Sequence, residues 1–360
     1  MTIQWYVVEF LSGVSVQRGE VTQSTTTIDV PITPVASLNQ AFVTWSKTPS
    51  ATDGSYSQDD PILGELTATN NLQFRVGGAS ANHIIWWQVI EYTNPADVYV
   101  QKGSATLLGG VDISVDVTLG TPVDVNATFV LVGFSTAGRL DVSANMLRAQ
   151  LIDSNTIRID RSSSGNGNPP DTEPDDINIV WQAIELKDGS TVQRGSEPFA
   201  SGIGQKVVSL GTSVNTSRSI AFASVQPVGG QNMGRTNYSV DNIIGVGSVT
   251  MDLSNTAITM DRNNTAGDAD IGWFVVEFPV GCLFNYRRQI TFDYTKVGVD
   301  NNPGFLTDFP VLVSLAGKWL RTTTADPANG RIENANGWDI IFRESDGTTL
   351  DHEIEAYDGS

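Results

Sequence analysis

The amino-acid sequence predicts an all-β protein built from tandem antiparallel β-sandwich units, and three observations lead there. A strand-like Trp-x-x-x-Glu segment recurs four times, and a second short segment follows three of the copies. The chain is also rich in Val, Thr, Ser and Gly and lacks any sustained 3.6-residue periodicity.

The recurrent segment holds Trp5 and Glu9, Trp87 and Glu91, Trp181 and Glu185, and Trp273 and Glu277, with Ile3, Ile85, Ile179 or Ile271 two residues before each Trp. A strand sends alternate side chains to opposite faces, so the Ile, the Trp, the Val or Ala two residues on and the Glu share one face. That face is the expected core. The other carries residues that vary among Gln, Trp, Tyr, Phe and Gly.

The second segment reads Gln17-Arg18-Gly19, Gln101-Lys102-Gly103 and Gln193-Arg194-Gly195. In the third copy Asp188-Gly189 joins the two segments, a strong short hairpin signal, so they are expected to pair with each other antiparallel. On that pairing each cation lies diagonally across from the Glu, and a half-buried carboxylate needs a partner. Structural ion pairs are therefore expected between Glu9 and Arg18, Glu91 and Lys102, and Glu185 and Arg194, with Glu277 left without a matching cation. A catalytic carboxylate would not recur in every unit beside a cation, and glycosidic cleavage needs two carboxylates flanking one cleft.

Further strand-like runs occupy residues 25–32, 40–45 and 72–76 of the first unit, and 127–133 and 156–159 of the second. The third has 205–210, 219–225, 249–253 and 257–260. Five or six short strands per roughly 90 residues suit a small sandwich. The units are bounded at 1–93, 94–187 and 188–281, each Trp-x-x-x-Glu strand closing one sandwich and leading by a hairpin into the next. The first copy is then the last strand of a preceding unit, and the chain a piece of a longer protein.

Composition narrows the function. Forty acidic against 21 basic residues give a net charge of -19, which repels nucleic-acid phosphates and anionic membranes. One cysteine, Cys282, excludes an internal disulfide framework, and two histidines, His83 and His352, supply no Cys/His zinc cluster. No apolar run approaches the roughly 20 residues of a membrane-spanning helix. No catalytic residues and no cofactor are expected; calcium is possible, with Asp59, Asp60, Asp268 and Asp270 as weak loop candidates that read first as solvated. His83 follows a small-residue loop and reads as an exposed polar residue. Tyr6, Trp86 and Phe274 on the variable face, with Trp45, Tyr56 and Tyr238 in or near loops, are the aromatics that could stack on sugar rings or fill unit-to-unit contacts.

Read from Gln17-Arg18-Gly19 through residues 26–32, 41–45, 72–76 and 85–90, each unit resembles the H-type lectin domain, a six-stranded sandwich of snail agglutinins and discoidins that also occurs in bacterial and phage proteins. The loops 49–61, 136–145 and 227–241 do not match that family's sugar-binding residues, so the resemblance implies fold more than ligand. From Asn285 the character changes: residues 286–292, 306–313, 338–342 and 346–355 resemble a bacterial surface domain of unknown function, family 2341. That resemblance implies a partial, concanavalin-like jelly-roll domain over 286–360 and an extracellular, multidomain parent.

The expected function is that of a noncatalytic modular surface or virion protein binding a glycan or cell-surface ligand. The alternative is a structural spacer or self-assembling repeat of a stalk, filament or tail fibre, with other copies of the chain as partners.

Overall fold

The structure is a computed structural model that describes residues 6–10, 13–48, 50, 58–78, 82–136, 142–163, 176–228, 247–262, 264–279, 290, 313–332, 334–337, 340, 342, 350 and 353–360. The chain divides into two compact units, Met1–Gly281 and Cys282–Ser360. In the second, a bridge joins Thr322 to Ile332, and a helical turn at Lys318–Leu320 is held by Tyr357, whose hydroxyl donates to the Leu320 carbonyl at 2.5 Å. The strands expected between 286 and 355 lie largely outside the described residues.

The first unit is all-β. Its first module holds β1 (Val14–Gln23), β2 (Thr27–Pro31), β3 (Ala41–Thr48), β4 (Leu63–Ala68), β5 (Asn71–Arg75) and β6 (His83–Tyr92). The second holds β7 (Val98–Leu107), β8 (Ser114–Thr118), β9 (Thr128–Thr136), β10 (Arg148–Leu151), β11 (Thr156–Asp160) and β12 (Ile177–Leu186). The third holds β13 (Thr191–Phe199), β14 (Gln205–Ser209), β15 (Ser219–Pro227), β16 (Thr250–Leu253), β17 (Ala257–Asp261) and β18 (Ala269–Glu277). In each module the first, sixth and third strands form one antiparallel sheet with the sixth in the middle, and the second, fifth and fourth form the other.

This topology corrects the expected hairpin. The Gln-Arg-Gly strand does not pair with the Trp strand just before it; it pairs with the Trp strand that closes its own module, placing Gly19 opposite Trp87, Gly103 opposite Trp181 and Gly195 opposite Trp273. A Cβ on any of these glycines would lie 2.5–2.6 Å from the Trp Cζ2 atom. The two segments recur together because the indole lies flat on the backbone of the facing strand. Asp188-Gly189 does make a turn, with Gly189 at φ 96°, but the turn joins two modules.

The other signature residues hold one loop. Gln17, Gln101 and Gln193 each accept from the backbone N–H and donate to the C=O of Thr33, Thr121 or Thr212, at 2.7–3.0 Å. Glu91, Glu185 and Glu277 accept from the amides of Ala36, Asp124 and Asn215 in the same loops, at 2.5, 2.9 and 3.1 Å. Between the two clamps Val35, Val123 and Val214 are buried.

The expected ion pairs do not form: Glu9 with Arg18, Glu91 with Lys102 and Glu185 with Arg194 are unconnected among the described residues. The physical reason is the changed strand pairing. Glu185 instead pairs with Lys187 at 3.1 Å, and Glu277, expected to lack a cation, pairs with Arg218 at 2.7 Å.

Two of the signature cations reach across to the preceding module. Lys102 donates to the Ala41 carbonyl at 3.2 Å, and Arg194 donates to the carbonyls of Val125 and Leu151 at 2.6 and 3.1 Å.

These reaches belong to a head-to-tail seam built twice. The β4 edge of the first module packs on β12 and β9 of the second, and β10 of the second packs on β18 and β15 of the third. The variable face of the Trp strand is the receiving surface, so Val180, Gln182, Gly272 and Phe274 are buried. The Gln182 amide accepts from Val43 N–H at 2.9 Å and donates to Val43 C=O at 3.0 Å. In the second seam Ser224 Oγ accepts from the Ala149 amide at 2.9 Å. Close approach at the seams demands glycine: a Cβ at Gly133 would meet Trp45 at 2.5 Å, and one at Gly272 would meet the Ala149 carbonyl oxygen at 2.9 Å.

Besides separate cores in the first and third modules, one apolar core runs through all three. Its aromatic spine joins Phe42 to Phe129 at 5.8 Å, Phe129 to Phe222 at 5.3 Å and Phe222 to Phe274 at 5.6 Å.

Two buried guanidinium groups fasten loops. Arg161 donates to the carbonyls of Leu108, Asp112 and Ala144, and Arg262 to those of Ala200, Ile203 and Gly267. Val76 stands at the matching place in the first module, two residues beyond Phe74 as Arg161 is beyond Ile159.

Candidate functional site

Two of the aromatics proposed for sugar stacking are used in packing. Phe274 is buried and stacked on Phe222, and Trp45 sits edge-on to Phe74 at 6.1 Å while covering Gly133. Tyr6 is partly exposed, and its hydroxyl donates to the Met251 carbonyl at 3.1 Å. Trp86 is 49% exposed, its indole N–H donating to Thr48 Oγ1 at 3.2 Å. Tyr56 and Tyr238 lie outside the described residues.

One acidic pair also departs from expectation. Asp59 and Asp60 are buried, not solvated, and His83, expected to be exposed, is buried at the start of β6. His83 Nε2 lies 3.1 Å from Asp59 Oδ2, its Nδ1 accepts from the Ser50 amide at 3.1 Å, and Lys47 pairs with Asp60. Ile177 and Ala269 take the place of His83 in the other modules, so this charged cluster belongs to the first alone. Asp268 accepts from the Ser201 amide at 2.6 Å, and Asp270 lies 3.8 Å from Arg148. No group of three or more His, Cys, Asp or Glu side chains suited to a metal ion occurs among the described residues.

The seam between the first and second modules leaves a cleft of about 380 Å³. It lies within the range of small-ligand sites, roughly 300–1,000 Å³. Glu65 and Thr67 line it from one side and Lys102, Ser104, Trp181 and Gln182 from the other. The second seam is lined differently, with Gln150, Arg194 and Phe274 at the places of Glu65, Lys102 and Gln182. There Arg148, at the place of Leu63, pairs with Asp160 at 2.7 Å and donates to Ser196 at 2.9 Å, reaching over the serine that matches Ser104.

Burial pushes the Lys102 ammonium down to about 8, and the nearby Glu65 carboxylate opposes the shift. The folded protein thus releases this proton near pH 8 while the unfolded chain keeps it until about 10.5. Between those values the unfolded state binds more protons, so unfolding free energy rises with pH, and the cost of the buried charge is fully present below pH 8. Denaturant unfolding from pH 7 to 10.5 is expected to show that rise in the parent chain and a flatter profile in Lys102→Met. Equal slopes in both would place the titration elsewhere.

Sequence reasoning missed this cleft because it singled out Lys102 as the partner of a Glu in its own neighbourhood and overlooked Glu65 and Gln182. The wide variation at the Trp-strand positions 86, 180 and 272 was the available signal that the exposed-looking face does more than meet solvent.

No protein-family model matches the chain, and no match was found among curated proteins or solved structures.

Proposed function

We propose that the chain is a noncatalytic recognition protein whose H-type-lectin-like modules present the cleft between the first and second modules to a hydroxyl-rich ligand, a glycan of a cell or virion surface. The cleft's lining supports this reading: a carboxylate, an ammonium and two hydroxyls converge beside the edge of an indole, with the Gln182 amide held on Val43 behind them. Such a set offers donors and acceptors in the alternation that vicinal hydroxyls require. The acidic surface and the resemblance of the C-terminal segment to a bacterial surface domain support an extracellular or virion setting. Membrane insertion and nucleic-acid binding play no part in this reading.

A glycan array with the full chain tests it, followed by titration of each hit against Ser104→Trp, which fills the cleft from a solvent-exposed position. The expected result is binding that weakens on the order of tenfold or more, about 1.4 kcal/mol, with an unchanged unfolding midpoint. Silence across the array, or hits that Ser104→Trp leaves intact, would overturn it. Silence would favour the spacer reading, which the tightly built seams support.

A further inference from the structure

The seam that joins the modules leaves one receiving surface uncovered and one donating edge on which, among the described residues, Tyr6 sits, its hydroxyl on the Met251 carbonyl. On the first module Trp86 and Gln88 are exposed, whereas their counterparts Val180 and Gln182, and Gly272 and Phe274, are buried under the preceding module. Val16 tells the same story at 45% exposed, against 1% for Val100 and 3% for Val192. At the other end of the array, β16 of the third module corresponds to the donating strands β4 and β10, and its Asp252 is exposed.

We propose that the uncovered β6 face of the first module receives the β16 edge of the third module of a second copy of the chain. The occupant follows from continuity with the seam the chain already builds twice. Charge agrees. Arg18 is exposed where Lys102 and Arg194 grip the preceding module, and β16 offers it Asp252 beside the Leu253 carbonyl, the counterpart of the Leu151 carbonyl that Arg194 takes.

Closure within one chain is blocked by Phe10, which lies between Tyr92 of the first module and Phe278 of the third, at 6.2 and 5.4 Å. The interface is heterologous, so every copy carries both surfaces and association continues beyond the dimer unless the rotation closes a ring.

The test uses the full chain. Light scattering across concentration is expected to show mass growing in steps of 38.7 kDa, and Trp86→Lys is expected to remain a monomer with unchanged circular dichroism and unfolding midpoint. In a Cys282→Ser background, one preparation carries Trp86→Cys and another Thr250→Cys; mixing them under mild oxidation is expected to give a disulfide-linked pair at several times the yield of either alone. A parent that stays monomeric up to hundreds of micromolar overturns the proposal. So does a chain bearing both cysteines that bridges internally, or a Trp86→Lys variant that assembles like the parent. Glycan binding through the cleft is unaffected by Trp86→Lys, so this proposal and the recognition reading fail separately.

Discussion

Gly103→Val is expected to destabilise the protein by about 3 kcal/mol, the upper range for overpacking a close-packed interior. The first side-chain carbon already lies 2.6 Å from Trp181 Cζ2 and 3.0 Å from Cε2, and neither partner has room to retreat. Trp181 is sandwiched between its strand and the core that runs through all three modules, and Gly103 belongs to a strand paired over ten residues with β12. The denaturation midpoint measures the effect. A double-mutant cycle assigns it: with Trp181→Leu in the background, the cost of Gly103→Val is expected to shrink by more than half. Equal costs in both backgrounds would show that the indole is not what the glycine accommodates.

Arg161→Ala is expected to cost about 3 kcal/mol, because it strands the buried Ala144 carbonyl, frees two part-buried ones and leaves a cavity in place of a buried side chain. The guanidinium donates to Asp112, Leu108 and Ala144 at 2.8, 2.9 and 3.1 Å, tying the β7 to β8 connection to the helical turn at Val142–Asn145. Burial lowers its pKa from the ordinary arginine value, yet a guanidinium stays protonated at any working pH. Limited proteolysis gives a second readout, since losing Arg161 is expected to expose residues 108–112 to cleavage before global unfolding. Arg161→Lys should recover only part of the loss, as one ammonium cannot span three acceptors that a planar fork meets at once. A variant with the parent's midpoint and cleavage rate would refute this role.

Much of the architecture was legible because the core dictates it. Ile85, Trp87 and Val89, with their counterparts in the later modules, alternate with period two and are all buried, so the Trp strand follows from the repeat. Strand pairing was not legible. A turn at Asp188-Gly189 is local, whereas the choice of partner depends on indole meeting glycine across most of a module, and a local signal carries no information about that distance. The edge strands β4 and β10 escaped notice because Leu63 to Ala68 and Arg148 to Leu151 are short and poor in β-branched residues. They are also the strands that make the seams, so the cleft went unseen with them. His83 escaped for another reason: its loop neighbours are small and polar, while its burial comes from Asp59, more than twenty residues earlier. The matching Asp160-Arg161 and Asp261-Arg262 pairs were the signal that would have found the buried arginines.

The Gln182 amide bears on how the protein behaves in crowded surroundings. β3 is an outer strand of its sheet, and an outer strand exposes a ladder of unpaired peptide groups on which foreign chains can polymerise. By occupying both the N–H and the C=O of Val43, one side chain imitates a single residue of a missing strand and then ends, offering nothing onward to extend. Substituting leucine there would keep the bulk and abolish the plug. Module order thus doubles as protection against fibrillar misassembly, the second module guarding the vulnerable border of the first.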